Sequence, residues 1–251
     1  MTLPLDFAWL QTLALAAVRF TAFLVVAPPF SSTAFPVRIK AMLGVGLALA
    51  VTGRIHRPGE VDAVTLTTGL VLEAATGFAL GFLVAVIFSA VQAAGSLIDL
   101  FSGFQLAQVY DPQTMVNGAQ FTRLLQMSAL ALLIASDGYQ LVLNGLIGSF
   151  GAVPVAGGLD LARPVEAMTN AVGGMMVAAV QIAGPLVVVL FLADVGLGLL
   201  TRVAPALNAF SLGFPLKILL TLALGSILFL ALPRVVSTLA GDAAQVLTGV
   251  R

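Results

Sequence analysis

The sequence predicts an all-α, polytopic membrane protein, and three observations predict it. Of its 251 residues, 60% are hydrophobic and 9% charged, against about 45–50% and about 25% in a soluble domain. The apolar residues gather into six segments, near 7–27, 39–53, 64–92, 121–150, 171–200 and 216–232. Most of them approach or exceed the ~20 residues that a helix needs to cross a bilayer. Several are broken or undersized, which argues against a plain six-pass bundle.

The charge balance narrows the partners. Eleven basic and eleven acidic residues cancel, so no basic surface invites nucleic acid and no acidic tail suggests a chaperone-like partner. With no cysteine there are no disulfides, thiolate metal sites or Cys nucleophiles. His56 is the only histidine. At the N-terminus, Asp6 precedes the first apolar run and Arg19 lies inside it. That is the reverse of a signal peptide, so the run reads as a retained membrane segment. Little lies outside apolar segments and short connections, and residues 1–251 are expected to form a single unit.

Taken in order, the first segment should end at Pro28 and Pro29, where amide hydrogens are missing. Pro36 starts the second, with Arg38 and Lys40 at the boundary, and RIHRPGEVD is the best candidate for a solvated loop. In the third, Gly69, Glu73, Gly77, Gly81, Ala85, Ser89 and Ala93 recur every four residues. Small residues at that spacing form a groove for another helix backbone, drifting about 40° per step. Gly95 and Ser96 are expected to interrupt this helix, followed by a second amphipathic helix carrying Asp99, and then the turn-rich YDPQTMVNG. SDGYQ at 136–140 should break the fourth segment, and 153–164 reads as an external loop. In the fifth, Pro185 cannot donate to the carbonyl of Gln181, which predicts a kink. The sixth should begin after Pro215 and stop at Pro233 and Arg234.

Between the fifth and sixth segments lies RVAPALNAFSLGFPLK, from Arg202 to Lys217. It reads as neither loop nor helix: Pro205, Asn208, Gly213 and Pro215 break regular structure, yet Phe210 and its neighbours are apolar. Something must cover it. Orientation stays open, because six spans would place Arg38, Lys40, Arg123, Arg202 and Lys217 on one side and Arg54, Arg57, Arg163, Arg234 and Arg251 on the other.

Arg19, Glu73, Asp99, Asp194 and Lys217 lie within or beside apolar segments, where charge is costly unless paired or solvated. They read either as inter-helix pairs, with Arg19 and Lys217 neutralising Glu73 or Asp194, as groups facing a partner subunit, or as an ion or proton relay. Asp99, Asp137 and Asp194 supply material for an intramembrane aspartyl protease, but no motif frames them. No GxSxG elbow, HExxH, P-loop or GxGxxG is present, so no enzyme is expected and no cofactor or metal is called for. A secondary transporter would show matching broken segments in its two halves, and none is visible.

The block TRVAPALNAFSLGFPLKILLTL at 201–222, with LFLADVGLGLL before it and AAGSLIDLFSGFQLAQVYDPQ at 93–113, resembles the FliR family of flagellar biosynthesis proteins. That family includes the export-gate subunit of injectisomes. APPF at 27–30, FPVRIK at 35–40 and Glu73 with its Gly77 and Gly81 spacing extend the resemblance over most of the chain, and GFQLAQVYDPQ looks more like the flagellar branch. Ala206 stands where similar sequences usually carry Gln, Ala209 where a bulkier residue is common, and DGY at 137–139 where an Asn-Gly-His type turn is common.

The resemblance implies bent helical hairpins completed in a hetero-oligomeric export gate with FliP and FliQ, in the bacterial inner membrane at the flagellar basal body. Other export-apparatus membrane proteins, membrane lipid and unfolded protein substrates are the further partners it implies. Gly103 to Gly118 matches the family's plug, which makes Phe104, Tyr110, Asp111, Pro112, Met115 and Asn117 the expected gate residues. Gly69, Glu73, Gly77, Gly81, Arg202, Pro205, Asn208, Phe210, Gly213, Pro215 and Lys217 are the expected subunit-packing residues. Read without the resemblance, the loop is a plain inter-helix turn.

Overall fold

The computed structural model describes residues 7–32, 35–55, 62–104, 120–155, 162–204 and 209–249, with the side chains of 162–165 and 209–211 outside the description. Every regular element among them is helical: α1 (Phe7–Val26), α2 (Val37–Val51) with a 3-10 turn at Thr52–Arg54, α3 (Ala63–Ser102), α4 (Gln120–Ala135), α5 (Gly138–Ala152), α6 (Ala162–Val203) and α7 (Ala209–Leu247). Helices α1, α3, α6 and α7 are long and apolar enough to cross a membrane, and a fifth span results if α4 and α5 count as one. At 15 residues, α2 rises about 22 Å, short of the ~30 Å hydrocarbon core. The six expected segments thus reduce to four or five spans.

Several ends fall where proline puts them. α1 stops before Pro28 and Pro29, and Pro36 is the N-cap of α2. At the start of α3, the Asp62 carbonyl accepts from the Leu66 amide and its carboxylate from the Thr65 amide at 3.3 Å, an N-terminal cap. SDGYQ does break the fourth segment. Asp137 adopts φ 56° in the left-handed region, which a short polar side chain tolerates.

Elsewhere the helices outrun the expected breaks. α3 continues through Gly95 and Ser96 to Ser102, with no second helix begun there. α7 starts before Pro215 and runs past Pro233, while α6 carries Pro185 in its interior, where a kink and not a break is expected. The reason is energetic. A helix-interior glycine costs about 1 kcal/mol and a proline about 3, whereas a backbone group left unpaired in an apolar medium costs several kcal/mol. Keeping the helix and forfeiting one bond, such as that to the Phe229 carbonyl opposite Pro233, is the cheaper solution.

The chain divides into two compact units, each made of separated segments. One holds 1–87, 137–172 and 239–251; the other holds 88–136 and 173–238. In the first, Leu15, Phe20, Phe23, Leu24, Val142 and Leu146 are buried, and Gly145 on α5 meets the backbone of Ala244 on α7. In the second, Ala94, Ile98, Leu125, Leu133, Leu190 and Leu232 are buried, and Phe121 packs edge-on against Phe229 with centroids 6.1 Å apart.

Candidate functional site

Buried charge marks one place in each unit. In the first, Arg19 on α1 is fully buried, and its guanidinium forks onto the Glu73 carboxylate of α3, with Nε donating to Oε2 at 2.5 Å and Nη2 to Oε1 at 2.9 Å. Nη1 donates to the Val153 carbonyl at 2.9 Å, just beyond α5, and the guanidinium carbon stands 4.2 Å from the centre of the Phe150 ring. A planar cation with a fixed fork suits this combination of bidentate pairing and stacking. One side chain thereby ties α1, α3 and the end of α5 together.

The small-residue stripe of α3 explains how the pair closes. Gly77 faces the Arg19 carbonyl and the Ala22 side chain, and Gly81 faces the Phe23 carbonyl and Val26. Glu73 and Gly69 continue the same buried stripe. The groove expected to receive another subunit is therefore filled by α1 of the same chain at Glu73, Gly77 and Gly81. The small side chains let the two backbones approach closely enough for the short Glu73 side chain to reach Arg19.

In the second unit, Asp99 on α3 is fully buried and accepts from the amides of Phe121 (3.3 Å) and Thr122 (2.8 Å) and from the Thr122 hydroxyl (2.5 Å). A carboxylate at the first turn of α4 satisfies its orphan amides and complements the helix dipole. Gly95, one turn earlier, lies against the Thr122 backbone. At the end of α3, Gly103 has φ 85°, and a Cβ there would press on the Phe214 ring of α7 at 2.9 Å. Glycine is required at such a backbone angle. Both roots of the 105–119 segment are thus seated, one through Gly103 and one through Phe121 and Thr122.

Lys217 on α7 pairs with Asp194 on α6 at 2.6 Å, with the lysine side chain 16% and the aspartate 44% exposed. Of the charges singled out from the sequence, Arg19 pairs with Glu73 and Lys217 with Asp194 between helices, while Asp99 caps α4. Among the described residues, no three His, Asp or Glu side chains converge as a metal site would need.

Of the other expected residues, Phe104 is half-buried just past α3, Arg202 is exposed in the last turn of α6, Gly213 is buried near Leu197, and Pro215 is exposed within α7. Tyr110, Asp111, Pro112, Met115, Asn117, Pro205 and Asn208 lie outside the described residues, as does the side chain of Phe210. Sequence reasoning missed Phe150, the Val153 carbonyl, Thr122 and Phe214. Nothing in their local sequence distinguishes them from ordinary core and loop residues.

The sequence is similar to those of known export proteins. The family model described as bacterial export proteins, family 1, matches residues 10–243. The flagellar biosynthetic protein FliR of Bacillus subtilis is 32% identical over 212 residues, covering 81% of this chain and 80% of the relative. FliR of Escherichia coli K12 is 30% identical over 222 residues, covering 86% and 84%. The Yop proteins translocation protein T of Yersinia pestis is 29% identical over 213 residues, covering 83% and 82%. With the matched region running from α1 to the last turns of α7 and including every buried charge described above, the chain belongs to family 1 of the bacterial export proteins.

Proposed function

We propose that this chain is a core subunit of the flagellar type III protein export gate in the bacterial inner membrane, at the flagellar basal body. There it forms, with FliP and FliQ, the channel through which unfolded flagellar proteins leave. The family supports the export role, and one structural observation supports a shared assembly. α3, α6 and α7 have 40, 42 and 39 residues, so each rises about 60 Å, twice the ~30 Å hydrocarbon core. Immersing one fully in lipid would need a tilt of about 60°, beyond the range of about 0–40° seen in membrane proteins. The most apolar stretches of α6 and α7, about one hydrocarbon core long, are 28% and 17% buried within the chain and lie open to lipid or to another subunit. Neighbouring subunits would cover what lipid does not reach.

On this reading the segment from Gly103 to Gly118, with Phe104, Tyr110, Asp111, Pro112, Met115 and Asn117, is the plug of the closed channel. Arg202, Pro205, Asn208, Phe210, Pro215 and Lys217 belong to the surface that packs against other subunits, whereas Gly69 and Gly213 are buried within this chain. GFQLAQVYDPQ favours the flagellar branch. Coexpression with FliP and FliQ is expected to yield one stable, detergent-resistant complex. A chain that purifies only as a well-behaved monomer beside both partners overturns the reading.

A further inference from the structure

α2 buries a single stripe, Lys40, Gly44, Ala48 and Val51, and Gly44 meets Thr21 of α1. Lysine is the odd member of that stripe. Lys40 is 5% exposed, yet among the described residues it makes no ion pair or hydrogen bond through its side chain. No wholly buried side-chain nitrogen among those residues lacks a partner, so the ammonium opens at the edge of the helix contact while its stem is covered.

The turn before Lys40 has an unmet need of its own. Side chains on a helix slant toward its N-terminus, so Lys40 covers the turn from Pro36 to Ile39. The Pro36 cap offers no side-chain acceptor, and the first turn holds no acidic residue. The amides of Ile39 and Lys40 go to the Pro36 carbonyl, while those of Val37 and Arg38 have no acceptor among the described residues. Arg38 is exposed beside them. Two cations at a helix N-terminus oppose the dipole, and an anion placed there would reverse the penalty and take the free amides as well.

The surroundings indicate which anion. Val37, Ile39 and Met42 are 64%, 45% and 74% exposed on the same two turns, an apolar rim that a freely dissolved anion would not use. We infer that the N-terminus of α2, with Lys40, Arg38 and the amides of Val37 and Arg38, binds the phosphate of an anionic phospholipid whose acyl chains lie on Val37, Ile39 and Met42. Basic pockets between membrane helices recognise anionic headgroups by this chemistry. The inference does not depend on the export reading.

The test uses the full chain in phosphatidylcholine nanodiscs with and without phosphatidylglycerol, read by thermal unfolding and by native mass spectrometry of retained lipid. Phosphatidylglycerol should raise the wild-type midpoint, as a ligand of the folded state does. Lys40→Met should abolish that rise and lower retained phosphatidylglycerol about fivefold or more. Its midpoint in phosphatidylcholine alone should stay equal or increase, since an unpaired charge has been removed, which separates lost binding from lost folding. Lys40→Arg should keep the rise, as should Arg123→Gln, which removes an exposed cation on α4. Undiminished retention by a folded Lys40→Met chain overturns the site. If inorganic phosphate gives the same Lys40-dependent rise and phosphatidylglycerol adds nothing, the ligand is a soluble anion and the lipid assignment fails. Retention by the isolated chain that vanishes in a complex with partner subunits gives the place to a partner carboxylate and overturns it equally.

Discussion

Gly77 on α3 lies so close to Arg19 on α1 that a Cβ placed on it would collide with the Arg19 carbonyl oxygen and sit 2.8 Å from the Ala22 Cβ. A backbone oxygen cannot rotate aside as a side chain can, so the two helices would have to part. Gly77→Ala is expected to cost about 1–3 kcal/mol. Gly46 and Gly174 have nothing within 4 Å of the added carbon, and alanine at either is expected to be neutral or to stabilise by up to about 1 kcal/mol. Thermal unfolding in detergent compares the three. Equal effects would show that the close approach does not hold.

The pair that Gly77 allows is expected to be costly to break and cheap to replace. Glu73→Ala leaves a fully buried guanidinium without its carboxylate, a loss of about 3–5 kcal/mol. Arg19→Lys should come close to that loss, because an ammonium cannot fork onto the carboxylate and stack on Phe150 together. The double variant Arg19→Met with Glu73→Leu should be more stable than either single Arg19→Met or Glu73→Leu, since both buried charges leave at once. A double variant no better than the worse single would assign Arg19 a value independent of Glu73.

For Asp99, the sensitive variant is Asp99→Asn. The amide keeps the shape, loses the charge that faces the first turn of α4, and sets a donor against one of the two amides that the carboxylate accepts from. A cost of about 1–3 kcal/mol is expected, and about 1 for Thr122→Val, which removes only the hydroxyl. Hydrogen exchange at the amides of Phe121 and Thr122 should quicken in the first variant and change little in the second. Exchange unaltered in Asp99→Asn would exclude the cap.

Asp62 makes a prediction in pH. The hydroxyl of Thr65, and then its amide, holds the Asp62 carboxyl below the usual carboxylate range. The unfolded chain takes up this proton at higher pH than the folded one. The cap therefore contributes in full above the ordinary aspartate pKa and is lost as pH falls through the depressed folded value. A carbon-13 titration of Asp62 should find its midpoint below that of a free aspartate, and Thr65→Ala should raise it. A midpoint unmoved by Thr65→Ala would contradict the cap.

The plug assignment can be checked without chemical background, because the chain contains no native cysteine. Single cysteines replacing Tyr110 or Met115, crosslinked to a neighbouring subunit, should stop secretion, and deletions within 105–119 should make the membrane leaky to ions. Export that continues with the crosslink formed would refute the assignment.

Much of this was legible in the residues. Proline placed the end of α1 and the start of α2, the cost of charge in lipid singled out Arg19, Glu73, Asp99, Asp194 and Lys217, and four-residue spacing announced the groove on α3. The misreadings share one cause. Gly95, Ser96, Pro215 and Pro233 break helices in water, where the freed backbone finds solvent partners, and in apolar surroundings it finds none. Lys40 was visible only as a boundary cation, because its burial depends on α1 crossing beside it. Phe150 and the Val153 carbonyl could not be seen, since long-range partners of a buried arginine leave no local pattern.

The composition of the first unit has a consequence for the order of events during synthesis. Gly145 and Gly148 on α5 are covered by Ala244, Leu247 and Thr248, and Gly249 lies against Ala152. Those covering residues leave the ribosome about a hundred positions after the helix they close over. Until they emerge, α5 waits with its glycine face bare, and the unit begun by α1 is completed only after the other unit has been made.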